Sequence, residues 1–591
     1  MTPRWFLPAV LAAVITGGAI AAPTLGHSLW DDEHETLVWY VLGRYVRQKP
    51  DGHVKLKEHN WRRTIFGYST PNNHIFHNIL ARSTNSLWRA IAKPDGLQFS
   101  EVALRIPAFL AGMACIAALA FLLKDFGLPQ AGAIAAWFLA LQPWFTHHMA
   151  LARGYTLTML FAVLAVLFWR KALVSGAWQW WALLAACELL GLWTYPALLF
   201  LFAILNAALL LLITLQAPQI AGPRRTMTSR WFCCSAMAGA GLLPLVFPLI
   251  SQIRDYIDSL TPGLMGLPWL ANFFCFLAAG TAWNNDSTSN HNYEDLQQIA
   301  LAYGPVIMWA LLAFVAMLFL LGIIRFARGG PIAAVTAASL VLGPTAHWLY
   351  AEAKGIILWE WYLIYFLPFV GMFMGVGLWT LASAGSNLVH KRPIAPIIAV
   401  IALLLYAFAT SPVRAWHLVH SKVPYRESSL AARADTKGNH AIVFSTTGAA
   451  LAYDPQLFYI ENPVDLAVLM FQADAQHRPL IANMGQMETL RSAFPKIYAM
   501  IENQTLFPQV KRFQGFFSGG DRFVCRYAPG SADTFDFSGI LTPEEVSYAR
   551  RNANILSEVY FTGGGARHAA LGVGGYGPAP GVGKNPEDFR K

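Results

Sequence analysis

The sequence predicts a mainly α-helical, polytopic membrane protein of about eleven transmembrane helices with a small C-terminal α/β domain outside the membrane. Three observations predict it. Of 591 residues, 55% are hydrophobic and only 13% charged, about half the roughly 25% charge of an ordinary soluble domain. Mean hydropathy is +0.42. The apolar residues gather in runs of about 17–25, long enough to cross about 30 Å of hydrocarbon, and these runs lack a polar face.

Taken in order, spans are expected near 5–25, 103–123, 131–149, 155–169, 178–195, 197–215, 231–252, 303–324, 331–350, 361–384 and 394–411. The first run ends in Ala-Ile-Ala-Ala like a signal peptide, but it exceeds a signal core in length, so a retained helix is expected. Charge then orients the set. With a cytoplasmic N-terminus, one side carries Arg4, Lys124, Arg170, Lys171, Arg224, Arg225, Arg230, Arg325, Arg328, Lys391 and Arg392. The short loops of the other side offer Arg153 and Lys354. Segment 264–283 is apolar, contains Pro268 and breaks the alternation, so a re-entrant or interfacial element on the outer side is expected.

The membrane module is placed at 1–412, and its first outer loop at 27–101. Within that loop 33–48 puts Leu37, Val41 and Tyr45 on one face, and 73–88 groups Phe76, Leu80 and Leu87, so both read as interfacial helices. The α/β domain follows at 413–530, with strands at 441–445 and 522–527 around helical stretches such as 464–472. A helix at 543–560 and a flexible Gly/Pro-rich tail, suited to docking on a protein partner, complete 531–591.

The net charge of +10 does not point to nucleic acid, because the basic residues sit in short loops between apolar runs. Cys115, Cys187, Cys233, Cys234, Cys275 and Cys525 show neither ligand spacing nor a disulfide framework.

Chemistry concentrates after the first span, in Trp30-Asp31-Asp32-Glu33-His34-Glu35. Such a run is usually a solvated loop, but beside an apolar interfacial helix a carboxylate loses water and its pKa rises toward a useful range. Any of its four carboxylates, Asp31, Asp32, Glu33 and Glu35, is thereby a candidate general base. Downstream come Thr70-Pro71-Asn72-Asn73-His74, Leu104-Arg105-Ile106-Pro107 at the second span, His147-His148 closing the third, and Ala152-Arg153-Gly154-Tyr155. Arg153 at a helix mouth suits an anionic headgroup, with snorkelling to the interface as the simpler alternative. The two histidines read as interfacial side chains before ligands.

In the order of these motifs and their shared side of the membrane, the chain resembles the GT-C superfamily of membrane glycosyltransferases. It is most similar to bacterial relatives of protein O-mannosyltransferase and the lipid A aminoarabinose transferase. The motifs cover roughly the first 200 residues. The resemblance implies transfer of a sugar from a polyprenyl-phosphate donor to an acceptor outside the cytoplasm, at the cell (inner) membrane. Asp32 would be the base and Asn73, His74, Arg153, Tyr155, Lys354 and Arg105 would contact substrate. It also implies an optional divalent metal, Mg or Mn, near Asp31, Asp32 and His148. Two positions depart from the pattern: Leu151 stands where relatives often have Glu, and Trp361 where an Arg is expected before Tyr362. These departures leave room for a non-catalytic subunit on the same scaffold. A transporter is the weaker rival, since Glu188 is the clearest acidic residue inside a span and the halves do not match.

Overall fold

The computed structural model describes residues 3–47, 54–67, 73–258, 263–282, 305–388, 394–434, 441–485, 490–491, 493–516 and 520–553. The chain begins with α1 (Phe6–Ala21), α2 (Asp31–Thr36) and a π-helical turn at Leu37–Val41. The hairpin β1 (Gly43–Arg47) and β2 (Val54–Glu58) comes next, then α3 (Trp61–Phe66) and α4 (Ile75–Ala92). The central helices are α5 (Glu101–Asp125), α6 (Pro129–Leu141), α7 (Pro143–Met149), α8 (Tyr155–Ser175), α9 (Trp178–Thr194) and α10 (Leu199–Thr214). They continue as α11 (Arg224–Asp258), α12 (Gly266–Ala279), α13 (Pro305–Ala327), α14 (Pro331–Ala353), α15 (Leu367–Leu388), α16 (Ala395–Ala409) and α17 (Ser411–Val419).

Among the described residues eight helices are long and apolar enough to cross a membrane, or nine if α16 and α17, bent by 46°, form one broken span. The sequence expectation of about eleven is higher because it weighs hydropathy without local breaks. Pro143 divides the 131–149 run into α6 and α7, and α9 has only 17 residues. At 14 residues, or about 21 Å of rise, α12 is too short to cross, as its re-entrant reading requires. The helices pack through small residues. A Cβ on Gly322 or Gly377 would collide with the backbone of the facing helix at Phe373 or Leu318, so α13 and α15 approach more closely than bulkier side chains permit.

The interfacial helix expected at 33–48 ends early. Gly43 takes φ +129, a conformation favouring glycine, and turns the chain into the β1–β2 hairpin with Gly43 opposite Glu58. The second interfacial helix forms as α4, leaving Leu87 and Ile91 exposed.

Beyond α17 the soluble part comprises α18 (Tyr425–Ala434), β3 (Ile442–Ser445), α19 (Ala450–Tyr453), β4 (Phe458–Tyr459) and α20 (Pro463–Ala475). It continues with β5 (Leu480–Met484), α21 (Pro495–Ile501), β6 (Gln509–Phe513), β7 (Arg522–Arg526) and α22 (Pro543–Asn552). The strands form one sheet in the order β4-β3-β5-β7-β6, with β3 parallel to β4 and β5 and with β7 antiparallel to β5 and β6. Strands β3 and β5 are buried along their whole length, which explains their continuous apolar runs. Asn462 caps α20 by accepting from the Val464 N–H at 2.9 Å, with Pro463 in the first turn where its missing N–H costs nothing. The expected helix at 543–560 is present to Asn552; its remainder and the Gly/Pro-rich tail lie outside the described residues.

Two polar clusters mark opposite ends of α8, about 31 Å apart. At the Ser175 end, Arg170 and Lys171 both pair with Asp125. At the Tyr155 end lies the acidic run of α2, against which the soluble domain docks. There the Ser28 N–H donates to the Ser421 hydroxyl at 3.3 Å, the Arg426 N–H donates to the Ser28 hydroxyl at 3.0 Å, and Arg426 pairs with Glu101 at 3.0 Å.

Candidate active site

Helical phase sorts the acidic run. At about 100° per residue, Asp31, Asp32 and Glu35 fall within one third of the α2 circumference, while Glu33 points away from them. Glu33 accordingly turns into the protein, where both its oxygens are saturated. Oε1 accepts from Arg105 Nε at 2.9 Å and from the Ala152 N–H; Oε2 accepts from Arg105 Nη2 at 2.6 Å and the Trp30 N–H at 3.2 Å. A fully buried carboxylate with that many donors has no lone pair to spare for a substrate proton, so the catalytic expectation for Glu33 is corrected to a structural one. The same holds for Arg105. Only 1% exposed, it also donates to the carbonyls of Leu25, His27 and Ser28, tying the end of the first span to α5 rather than contacting substrate.

Asp31 is exposed to solvent yet closely ringed by protein, and the resulting loss of hydration raises its pKa. The Tyr425 hydroxyl donates to Asp31 Oδ1 and opposes that rise. Tyr425 in turn lies under Arg522, whose guanidinium carbon is 4.8 Å from the ring centroid. Arg522 is itself buried and held by the Asn483 carbonyl at 2.8 Å and its side-chain oxygen at 2.9 Å. The soluble domain thus reaches the acidic cluster directly. Among the described residues the Asp32 carboxylate makes no hydrogen bond, though its backbone carbonyl accepts from Arg153 Nη1 at 3.2 Å. Burial, reinforced by Asp32, pushes Glu35 up to about 7, with Arg153 opposing.

Arg153 is 1% exposed and faces these carboxylates from the turn before α8. Nη1 donates to Thr36 Oγ1 at 2.9 Å, whereas Nε and Nη2 carry no well-formed hydrogen bond. The Tyr155 ring lies 5.9 Å away. Behind it, His74 stacks on Tyr195 at 5.8 Å and meets Tyr155 edge-on at 5.0 Å. Asn73 acts as a brace: its Nδ2 donates to the Gly67 carbonyl and its Oδ1 accepts from Asn78 at 2.6 Å. Gly154 is required by this packing, because a Cβ there would stand 2.6 Å from His74 Nδ1.

Two further sequence expectations change. Lys354 is exposed at the C-terminal end of α14; the cation beside Asp31 and Asp32 is Lys422, 8% exposed, with Nζ 3.4 Å from the Trp30 ring centroid and 5.1 Å from that of Trp361. Burial and the neighbouring Arg153 bring Lys422 down to about 8 against the pull of the carboxylates. Nothing local in the sequence marks Lys422; the one signal is the unexplained Trp361, which forms part of its platform. His148 does not join Asp31 and Asp32: its Nδ1 bonds the Trp144 carbonyl at 2.8 Å, and its ring packs on Trp144 and Tyr155. No group of three His, Cys, Asp or Glu side chains among the described residues converges to hold a metal ion, so no step is assigned to one.

No family model and no curated protein matches the sequence. Among solved structures the chain is similar to ArnT from Cupriavidus metallidurans bound to undecaprenyl phosphate, at 12% identity over 91% of this chain and 99% of that one, with a TM-score of 0.50. Similarity extends to the oligosaccharyltransferase AglB from Archaeoglobus fulgidus in complex with an inhibitory peptide and a dolichol-phosphate (11% identity, 88% and 74% covered, TM-score 0.40). It extends also to the arabinofuranosyltransferase AftD from Mycobacteria (13%, 89% and 42%, TM-score 0.42). With the span order and the acidic α2 after the first span, this likeness shows that the chain shares the fold of ArnT.

Proposed function

We propose that the protein is a glycosyltransferase that moves a sugar from a polyprenyl-phosphate carrier to an acceptor on the extracytoplasmic face of the membrane. One observation carries the proposal: Asp32 and Glu35, on one face of α2, act on a buried Arg153 whose Nε and Nη2 carry no well-formed hydrogen bond. Undecaprenyl phosphate bound to the similar ArnT supports the carrier class.

In this reading Asp32 takes the proton of the acceptor as it attacks the anomeric carbon. The bond from that carbon to the phosphate oxygen breaks, the electron pair leaves with the lipid phosphate, and the sugar is inverted by this single displacement. Arg153 meets the growing negative charge where little water competes. Glu35 and Asp31 flank the base and raise its local negative potential, while Asn73 and His74 brace the loop opposite.

Mass spectrometry of lipid carried through purification in mild detergent tests the carrier. A polyprenyl-phosphate sugar, or the bare polyprenyl phosphate left after transfer, is the expected finding. A stoichiometric protein partner with neither lipid would instead support the non-catalytic subunit.

A further inference from the structure

Lys422 is the buried cation that the mechanism above leaves unused. It stands in the short segment between α17 and α18, where the membrane helices hand over to the soluble domain. Its ammonium lies against Trp30, which meets Trp361 edge-on at 6.3 Å, and Trp359 stacks behind Trp361 at 5.2 Å. Among the described residues its three N–H donors have no carboxylate or carbonyl acceptor; the indole faces and the longer-range attraction of Asp32, Glu33 and Asp31 hold it. Cation–π contact stabilises a desolvated ammonium without using its hydrogens, so the donors stay available. Lys422 also lines a small cavity with Trp30, His147, His420 and the paired Glu33 and Arg105.

Its placement depends on the soluble domain. The Phe516 N–H donates to the carbonyls of Ser421 at 2.8 Å and Lys422 at 3.3 Å, and the Trp416 indole donates to the Phe516 carbonyl at 2.7 Å. A chain that binds a phosphodiester donor and releases a phosphate monoester has one more negative charge to meet at the end of the reaction than at the start. Arg153 supplies one cation at the cluster. Lys422 is a second, close enough for the two to repel.

We infer that Lys422, held on the Trp30–Trp361 platform by the docked soluble domain, is a second phosphate-contacting cation selective for the monoester headgroup of the spent lipid carrier. The inference rests on the transferase reading and deepens it.

The test measures binding of undecaprenyl phosphate to the full chain in nanodiscs, for wild type, Lys422→Gln and Lys422→Arg, with undecaprenol as the uncharged control. Loss of one charge-assisted contact should weaken undecaprenyl phosphate binding about tenfold to a hundredfold in K422Q, with most of it restored in K422R and undecaprenol unaffected. Inorganic phosphate at the same concentration should not displace the lipid; displacement would make free phosphate the ligand and overturn the lipid assignment. Equal affinity in wild type and K422Q overturns the role of Lys422 and leaves the transferase reading standing. A wild type that binds no undecaprenyl phosphate overturns both. K422R, which keeps the charge and bulk, guards against a K422Q that fails to fold.

Discussion

Glu33 and Arg105 meet at 2.6 Å with both side chains sealed from solvent, and that ion pair divides the acidic run of α2 into a structural half and a chemical half. One carboxylate anchors the helix to the end of α1 and to α5. Asp32 and Glu35 are then held near Arg153, whose own turn is tied down by the Ala152 N–H on Glu33. The order of the site therefore depends on a residue whose own oxygens are fully engaged by the protein.

Removing one partner of this pair leaves a buried charge uncompensated. Glu33→Gln or Arg105→Met should each destabilise the protein by about 3–5 kcal/mol, and the double variant should recover part of that loss. Thermal unfolding in detergent measures it. Midpoints for the single variants indistinguishable from wild type would show that the pair does not hold α2.

Asp32 is the proposed base. Asp32→Asn should insert and melt like wild type while transfer to the acceptor falls at least about a hundredfold. Undiminished transfer would move the assignment to Asp31 or Glu35.

Glu35 gives a pH signature with a definite sign. Its folded pKa, about 7, lies above the ordinary carboxylate value, so the fold favours the protonated form. The stability this contributes is fully present below the ordinary value, near 4.5, and is lost as pH rises through about 7. Glu35→Gln should flatten the fall in unfolding midpoint between about pH 5 and pH 8. A variant whose midpoint falls as steeply as wild type would place the titration elsewhere.

Tyr425 ties Asp31 to the soluble domain. Its hydroxyl holds down a pKa that burial and Asp32 raise. In Tyr425→Phe the Asp31 pKa should climb further, carrying the acidic limb of the transfer profile upward. An unshifted limb in an otherwise folded variant would disconnect Asp31 from the rate.

Much of this protein is legible in the order of its residues. The apolar runs that form membrane-length helices, the C-terminal sheet and the acidic run just after the first helix all follow from residues close together in the chain. At the hairpin and at Lys354 local pattern misleads for one reason. The hairpin at 43–58 is hidden because Leu37, Val41 and Tyr45 fit a helical period, and only the conformation of Gly43 ends it. Lys354 looks the better cation because it sits beside a span end, whereas Lys422 gains its place only through Phe516, Trp30 and Trp361, far from one another in sequence.

The apolar runs able to enter a membrane are written in the residues alone, though not where Pro143 breaks one of them. Transfer of apolar side chains from water sums along a run and needs no knowledge of neighbours. Which carboxylate is sealed against Arg105, which is free to take a proton, and which lysine joins Arg153 are settled by the packed fold. Those outcomes depend on hydration lost and charges met across distant segments, quantities that exist only once the helices and the soluble domain have come together.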